Sequence, residues 1–390
     1  MIPAVLPTYA RADVTFERGE GPYLFATDGK RYLDFASGVA VTALGHCHPR
    51  LIEALTAQAQ KLWHSSNLFQ VAGQQKVAQR LIAHSFADSV FFCNSGAEAV
   101  ECAIKVARKY QAETGHAEKY RLIACTGSFH GRTLATLAAA GNEKYLRGFG
   151  PPAPGFDHVA FGNLNEMRAK VTKETAAILV EPVQGEGGLA TAPEGYLAGL
   201  RAICDEFGLL LVYDEVQSGM GRTGRLFAHE WEGVAPDVLA TAKALGGGFP
   251  VGACLVTERA AVGMTAGSHG STFGGNPLAM AVADAVLDVM LAPGFFARVE
   301  RAADLLRRRL DALVAEYPKV FAERRGKGLL TGVKCVVPNT EMVDRLRKAG
   351  LLTVGAGENV VRLLPPLIIE ERQIDEAVGI LEGVARQWTS

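Results

Sequence analysis

The chain has almost no net charge: 40 Lys and Arg stand against 41 Asp and Glu, leaving a formal −1. Without a basic excess it has no electrostatic footprint for nucleic acid or for an anionic membrane surface. Cysteine is sparse. Seven are scattered through 390 residues with no C-x-x-C spacing. An odd number of thiols in apolar contexts such as VFFCNS and GACLV argues against a disulfide framework and reads as reduced, buried thiols of a cytoplasmic protein. The first residues, MIPAVLPTYARAD, lack a basic segment ahead of an apolar one, so no secretory leader is expected. The uncharged run 260–283 has SHGSTFGGNP at its middle, which would strand polar groups in lipid, so it reads as a loop and not a membrane span. Repeats, low-complexity tracts and linkers are missing as well. What is abundant is apolar residue, 48% of the chain, enough for a sizeable core and for two or three domains at ~150 residues each. Glycine is also abundant: 43 residues against an average share of ~7%, which implies many tight turns or close backbone approaches to a ligand.

From about Ser89 to Thr257, short apolar runs alternate with helix-length stretches. Strands are expected over 89–93, 121–125, 176–180, 209–213, 237–241 and 252–256. Runs without polar alternation suit strands buried on both faces of a mostly parallel sheet. Helical patterns are clearest over 97–113 and 196–208, the latter closing on glycine. This is an α/β, doubly wound organisation. Near the N-terminus, YLFATDGKRYLDF places Asp-Gly between two apolar runs, the pattern of a β-hairpin. Beyond Asn276-Pro277 come a long helix and then mixed helix and strand segments. The two chain ends are expected to join into a smaller α+β lobe.

The polar residues that follow the apolar runs carry the functional signal. SVFFC leads to Asn94-Ser95-Gly96, RLIAC to TGSFHGR, AAILV to Glu181-Pro182, LLLVY to Asp214-Glu215, and DVLAT to Ala242-Lys243. In open α/β sheets ligands bind outside the carboxyl ends of the strands, so five such residues in order predict one crevice. A carboxylate ending a buried strand, Asp214, needs a cation or donors, though a cap or salt bridge would also serve. Lys243 sits between an apolar run and three glycines, where a lowered pKa suits an imine-forming nucleophile; a surface lysine is the plainer alternative. Ser95, Gly96 and Ala97 open a helix whose free amides make an anion site, compatible with Ser95 as an ordinary N-cap. Thr272 in GSTFGGNP adds a donor from a loop, and Phe129 and Val216 provide two faces for a planar ring. A lysine for an imine, a carboxylate for a ring nitrogen, a helix start for a phosphate and an aromatic for a ring face together specify pyridoxal 5'-phosphate (PLP).

On these marks the sequence resembles the class-III, fold-type-I PLP aminotransferases, and within them the acetylornithine aminotransferase group. The resemblance spans essentially the whole chain. It rests on YLDFASGVAVTALGHCHP (32–49), FFCNSGAEAVECAIKVAR (91–108), SFHGRTLATL (128–137), EPVQGEGG (181–188), LLLVYDEVQSGMGRTG (209–224), AKALGGGFPVGA (242–253), GSTFGGNP (270–277) and NVVRLLPPL (359–367). It implies a large PLP-binding domain over 61–275 with a mostly parallel, seven-stranded sheet between helices, and a smaller α+β domain built from 1–60 and 276–390. It further implies Lys243 as the lysine that holds PLP and shuttles the proton, Asp214 on the pyridinium nitrogen, and Gln217 at the ring 3-oxygen. Val216 and Phe129 would flank the ring, Ser95, Gly96 and Ala97 would take the phosphate, and Glu215 is counted with the cofactor-binding segment. Thr272 would reach the phosphate of the other subunit, which implies a homodimer with shared sites. Arg132 and Ser271 would contact substrate. Glu186 and Arg362 would form a switch, with Arg362 freed for the α-carboxylate of glutamate or 2-oxoglutarate. The implied reaction moves the terminal amine of N2-acetyl-L-ornithine to 2-oxoglutarate, giving N-acetyl-L-glutamate 5-semialdehyde and L-glutamate, in arginine biosynthesis.

Two shorter motifs compete and lose. Gly219 to Gly224 reads G-x-G-x-x-G, but the preceding strand ends at Tyr213 and no helix opens there, so the dinucleotide fingerprint lacks its setting. His46-Cys47-His48 has no second ligand cluster, and no metal is expected. Among donors, ornithine aminotransferases carry a tyrosine where this chain has Val39, which favours an acylated amine over free ornithine. Succinylornithine, succinyl-diaminopimelate and 4-aminobutyrate remain alternatives, as does a PLP-dependent aminomutase on the same fold.

Overall fold

Seven short segments hydrogen-bond into one central sheet: β1 (Ser89–Cys93), β2 (Arg121–Cys125), β3 (Phe156–Val159), β4 (Thr175–Val180), β5 (Leu210–Asp214), β6 (Val238–Thr241) and β7 (Gly252–Val256). The structure, a computed structural model, describes residues 2–389. The spatial order is β1-β7-β6-β5-β4-β2-β3. Every pairing is parallel except the two made by β7, which runs antiparallel to both β6 and β1. Two reversals cancel, so β1 points the same way as β6. The segments leaving β1, β2, β4, β5 and β6 therefore emerge along one edge of the sheet.

The centre of the sheet is apolar on both faces: every residue of β4, β5, β6 and β7 is buried. Burial of one Val, Leu or Ile contributes ~1.5–3 kcal/mol, and half of the 20 residues in these four strands are of those types. Strand β3, which the sequence reading passes over, has an ordinary physical reason to be missed. FDHV has no apolar run: β3 is an edge strand in which two of the four residues are polar and paired with neighbouring segments. Its Asp157 pairs with Arg121 of β2 at 2.8 Å and its His158 ring meets the carbonyls of Ala138 and Ala139 at 3.1 and 3.0 Å.

Helix α1 (Gly96–Glu113) packs on the sheet through a stripe including Val100, Ala103, Ile104 and Ala107, all buried. The helix Tyr196–Phe207 stops on Gly208, whose φ of +65° is a left-handed cap without Cβ strain. Near the N-terminus, Tyr23–Ala26 and Arg31–Asp34 form the antiparallel hairpin, extended on its outer side by Phe16–Glu20. The C-terminal segment Leu351–Leu352 adds to it, parallel to Leu33–Asp34, so the two chain ends share a sheet. A second four-stranded antiparallel sheet brings together Phe321–Lys327, Leu330–Cys335, Val360–Leu363 and Val354–Ala356. Among the described residues no single helix is long and apolar enough to cross a membrane, and no group of three or more His, Cys, Asp or Glu is placed to hold a metal.

Candidate active site

A cavity of about 420 Å³ lies at the carboxyl edge of the sheet, lined by Ser95, Gly96, Ala97, Phe129, Arg132, Asp214, Val216, Gln217 and Lys243, among others. Its volume is that of a small-molecule site.

Asp214 ends β5 and is only 4% exposed. One carboxylate oxygen accepts from Val216 N–H at 3.0 Å, and the other from His130 Nδ1 at 2.8 Å. A buried carboxylate must have such donors, and the bond places the His130 proton on Nδ1. His130 is itself buried and lines the cavity, and its Nε2 has no partner. Sequence reasoning did not single out His130. Its only signal was its place directly after β2 beside the Phe129 and Arg132 that were chosen.

Lys243 begins a short turn after β6 with φ +45°, a left-handed conformation for a residue with a side chain. Such a position costs about 1–3 kcal/mol and is a mark of a functional constraint. The residue keeps some exposure to the cavity, yet burial of its surroundings lowers the ammonium's pKa; Arg362 acts in the same direction, while the charges of Glu186, Asp214 and Glu181 oppose. Glu181, which follows β4, also lines the cavity. Its carboxyl is pushed well above the usual range by burial first and by the Asp214 charge second, against hydrogen bonds from Phe129 N–H (3.0 Å) and Gly185 N–H (3.4 Å).

The loop from β1 into α1 supplies an anion seat. Ser95 caps the helix, its Oγ accepting from Glu98 N–H at 3.2 Å and donating to Glu98 Oε2 at 2.9 Å. The amides of Gly96 and Ala97, at the first turn, have no intrahelical acceptor. Gly96 must be glycine here: a Cβ would fall 2.5 Å from Val216 Cγ1. This close approach brings the helix start against the residue that forms one wall.

Arg132 is exposed at the cavity rim, its guanidinium 3.8 Å from the Tyr145 ring centroid and 5.5 Å from that of Phe129. No carboxylate pairs with it among the described residues. Arg362, by contrast, is 1% exposed and fully engaged on one nitrogen: Nη1 donates to Glu186 Oε1 at 2.6 Å and to Gln217 Oε1 at 3.1 Å, while Nη2 donates to the Gly355 carbonyl at 3.0 Å. Gln217 fits because Gly185 has no side chain; a Cβ there would lie 2.3 Å from Gln217 Oε1.

Five of the chosen residues lie outside the lining: Glu186 and Arg362, which reach it through Gln217, and Glu215, Ser271 and Thr272. The Glu215 carboxylate turns away from the cavity and accepts from Ala228 N–H (2.5 Å), His229 N–H (3.0 Å) and His229 Nδ1 (2.8 Å). Ser271 stands one step behind the lining, its Oγ accepting from Asn94 Nδ2 at 3.1 Å. Thr272 is exposed and outside the lining. Val39 is not in the lining either. It belongs to a left-handed turn, Ser37 to Ala40 (φ between +47° and +65°), and packs beside Val183, Leu189 and Val360; Val41 is the residue that reaches the cavity. Asp34 steadies that turn, accepting from Ala36 and Ser37 N–H and from His46 Nε2 at 2.8–2.9 Å. The Gly219–Gly224 segment opens no helix; it is a buried run of turns packed against Leu367.

Comparison with known proteins places this arrangement. The family Aminotransferase class-III matches residues 7–384. The acetylornithine aminotransferase of Brucella melitensis biotype 1 is 59% identical over 375 residues, 96% of this chain and 93% of that protein. The N-acetylornithine aminotransferase of Stenotrophomonas maltophilia superposes with a TM-score of 0.86 at 38% identity, covering 98% of each chain. The ornithine aminotransferase of Toxoplasma gondii, a structure with PLP at partial occupancy in its active site, superposes with a TM-score of 0.94 at 32% identity over 99% of this chain and 94% of that one. The family implies an enzyme that works with PLP on small amine and carbonyl substrates. Full-length identity and superposition at this level leave one conclusion: the chain belongs to the class-III aminotransferases.

Proposed function

We propose that the enzyme transfers the terminal amine of N2-acetyl-L-ornithine to 2-oxoglutarate, giving N-acetyl-L-glutamate 5-semialdehyde and L-glutamate, the arginine-biosynthesis reaction for which its relative is named. The observation that carries the reading is the pair of arginines. Arg132 is unpaired at the rim, whereas Arg362 is covered by Glu186. One open guanidinium suits a donor with a single carboxylate; two suit a dicarboxylate acceptor once Glu186 yields. The 59% identity to the Brucella acetylornithine aminotransferase points the same way.

The residues present fit PLP. The amides of Gly96 and Ala97 with the Ser95 hydroxyl would hold the phosphate, Asp214 the ring nitrogen and Gln217 the 3-oxygen, with Val216 and Phe129 on the ring faces. When bound, PLP supplies an electron sink for the bond being broken at the substrate carbon. Lys243, whose pKa burial lowers, is equipped to act as a neutral amine that accepts and returns the proton at that carbon. His130 holds the Asp214 carboxylate in orientation, and Arg132 anchors the donor so that its terminal amine faces Lys243.

A homodimer with shared sites belongs to the same proposal, Thr272 reaching the other subunit's phosphate and Ser271 the substrate. Supporting it, Trp63, Leu68, Phe69 and Phe273 are each more than half exposed. They sit near the loop that Asn67 ties down through the carbonyls of Ser271 and Gly274. Apolar side chains clustered in that way mark an interface. We further take 61–275 as the large domain, 1–60 with 276–390 as the small one, and the cytoplasm as the enzyme's location. The test is a donor panel at fixed 2-oxoglutarate. N2-acetyl-L-ornithine should give the highest kcat/KM; a preference for free ornithine or 4-aminobutyrate would reassign the donor while leaving the family intact.

A further inference from the structure

Away from the catalytic cavity, a second pocket of about 270 Å³ opens between the buried turns that follow β5 and the hairpin at 326–328. Its wall is Trp231, held by Nε1 donating to the Thr223 carbonyl at 3.1 Å. Two cations sit over that indole, Lys327 Nζ at 4.8 Å and the Arg225 guanidinium at 4.6 Å from the ring centroid. The other basic residues are already paired: Arg324 with Asp311 at 2.7 Å, Arg307 with Asp304 and Asp311 at 3.5 Å, and Arg225 with Glu300 at 3.7 Å. Lys327 makes no ion pair among the described residues, although it is part-buried and burial lowers its pKa, opposed by the charge of Glu232. Beside it, Thr223 is 1% exposed and its hydroxyl has no hydrogen-bond partner. Thr223 and Lys327 both line the pocket, and a hydroxyl and an ammonium that lack acceptors are the donor set of a carboxylate site once the hydroxyl turns toward it. Across the same pocket, Glu300 and Asp304 hold only loose ion pairs and are accessible to a small cation.

We propose that this pocket binds a small α-amino acid, its carboxylate on Lys327 and the Thr223 hydroxyl and its ammonium on Glu300 and Asp304. The opposite signs on the two walls select a zwitterion over a simple anion, and the volume restricts the side chain to a few atoms. The aromatic wall excludes water from one side of the charges, which strengthens both contacts.

Trp231 lies in the pocket and reports on it directly. In holoenzyme carrying Trp63→Phe and Trp388→Phe, Trp231 is the remaining tryptophan, and glycine is the probe, with methylamine and acetate as its two halves. Glycine should change Trp231 fluorescence saturably, and each half should act at least about tenfold more weakly, the cost of one lost charge-assisted contact. Lys327→Met and Thr223→Val should each weaken glycine by a similar factor while the PLP absorbance band and the basal kcat stay as in the parent. A saturable response that survives Lys327→Met, or no response to glycine, overturns the site. A response that tracks the PLP band instead of Trp231 assigns the binding to the catalytic cavity and overturns it equally.

Discussion

Replacing His130 by phenylalanine keeps a ring in the same buried space and deletes one donor. In the native site Asp214 accepts from His130 Nδ1 at 2.8 Å and from Val216 N–H at 3.0 Å, and the carboxylate is 4% exposed. Water therefore does not replace the lost partner. A hydrogen bond to a charged group contributes about 1.5–3 kcal/mol, which converts to roughly 10- to 150-fold in an equilibrium or rate governed by that carboxylate. Two readouts carry the prediction. Reconstitution of apoenzyme with PLP should require about 10- to 100-fold more cofactor, and kcat of the reconstituted enzyme should fall by a comparable factor. Far-UV circular dichroism should be unchanged, because the substitution touches no backbone hydrogen bond of the sheet. A variant that binds PLP and turns over within about twofold of the parent would refute the assignment of His130 as the residue that positions Asp214.

Other sites yield sharper single outcomes. Because burial and Asp214 raise the Glu181 pKa, the native state keeps this proton to higher pH than the unfolded chain; its contribution is fully favourable below the unfolded value of ~4.3 and declines as pH rises through the folded value. Glu181→Gln should therefore flatten the fall of Tm as pH rises above the unfolded value of ~4.3, and an unchanged slope would contradict the buried, proton-retaining carboxyl. Gly96→Ala places a methyl 2.5 Å from Val216 Cγ1; overpacking of ~1–3 kcal/mol should appear as weaker PLP binding in an otherwise folded protein, measured by cofactor titration. If Glu186 stays on Arg362 during the donor half-reaction, as proposed, Arg362→Ala should raise KM for 2-oxoglutarate about 10- to 100-fold while altering that half-reaction far less; in the structure the two side chains are paired. Equal effects on both half-reactions would remove Arg362 from the acceptor role.

The central sheet was legible because its inner strands are buried on both faces, and they and the edge strand β1 read as unbroken apolar runs. The exception, β3, is an edge strand whose Asp157 and His158 face partners on neighbouring segments, so its composition is mixed. The direction of β7 was not legible: GACLV has the same composition whichever way it runs, and only the register with Cys93 and Thr241 reveals it. Site residues at strand ends were readable because a charged residue after a buried run needs a reason. Side-chain direction was not readable, and Glu215 shows why: adjacent residues at a strand end point to opposite faces, and its carboxylate serves the 228–229 backbone while Asp214 faces the cavity. His130 escaped notice for the complementary reason, since its role arises only when β2 and β5 lie in one sheet. The left-handed turn at 37–40 likewise has no periodic signature; it turns Val39 toward Val183 and Val360 and leaves Val41 at the cavity.

The donor half-reaction tests the central claim most directly. N2-acetyl-L-ornithine alone, added to the PLP-loaded enzyme, should bleach the visible cofactor band, and 2-oxoglutarate should restore it with release of L-glutamate. Lys243→Ala should retain the fold and lose this cycle. A band indifferent to N2-acetyl-L-ornithine but responsive to ornithine or 4-aminobutyrate would contradict the proposed donor, and a Lys243→Ala enzyme that still cycled would contradict the proposed chemistry.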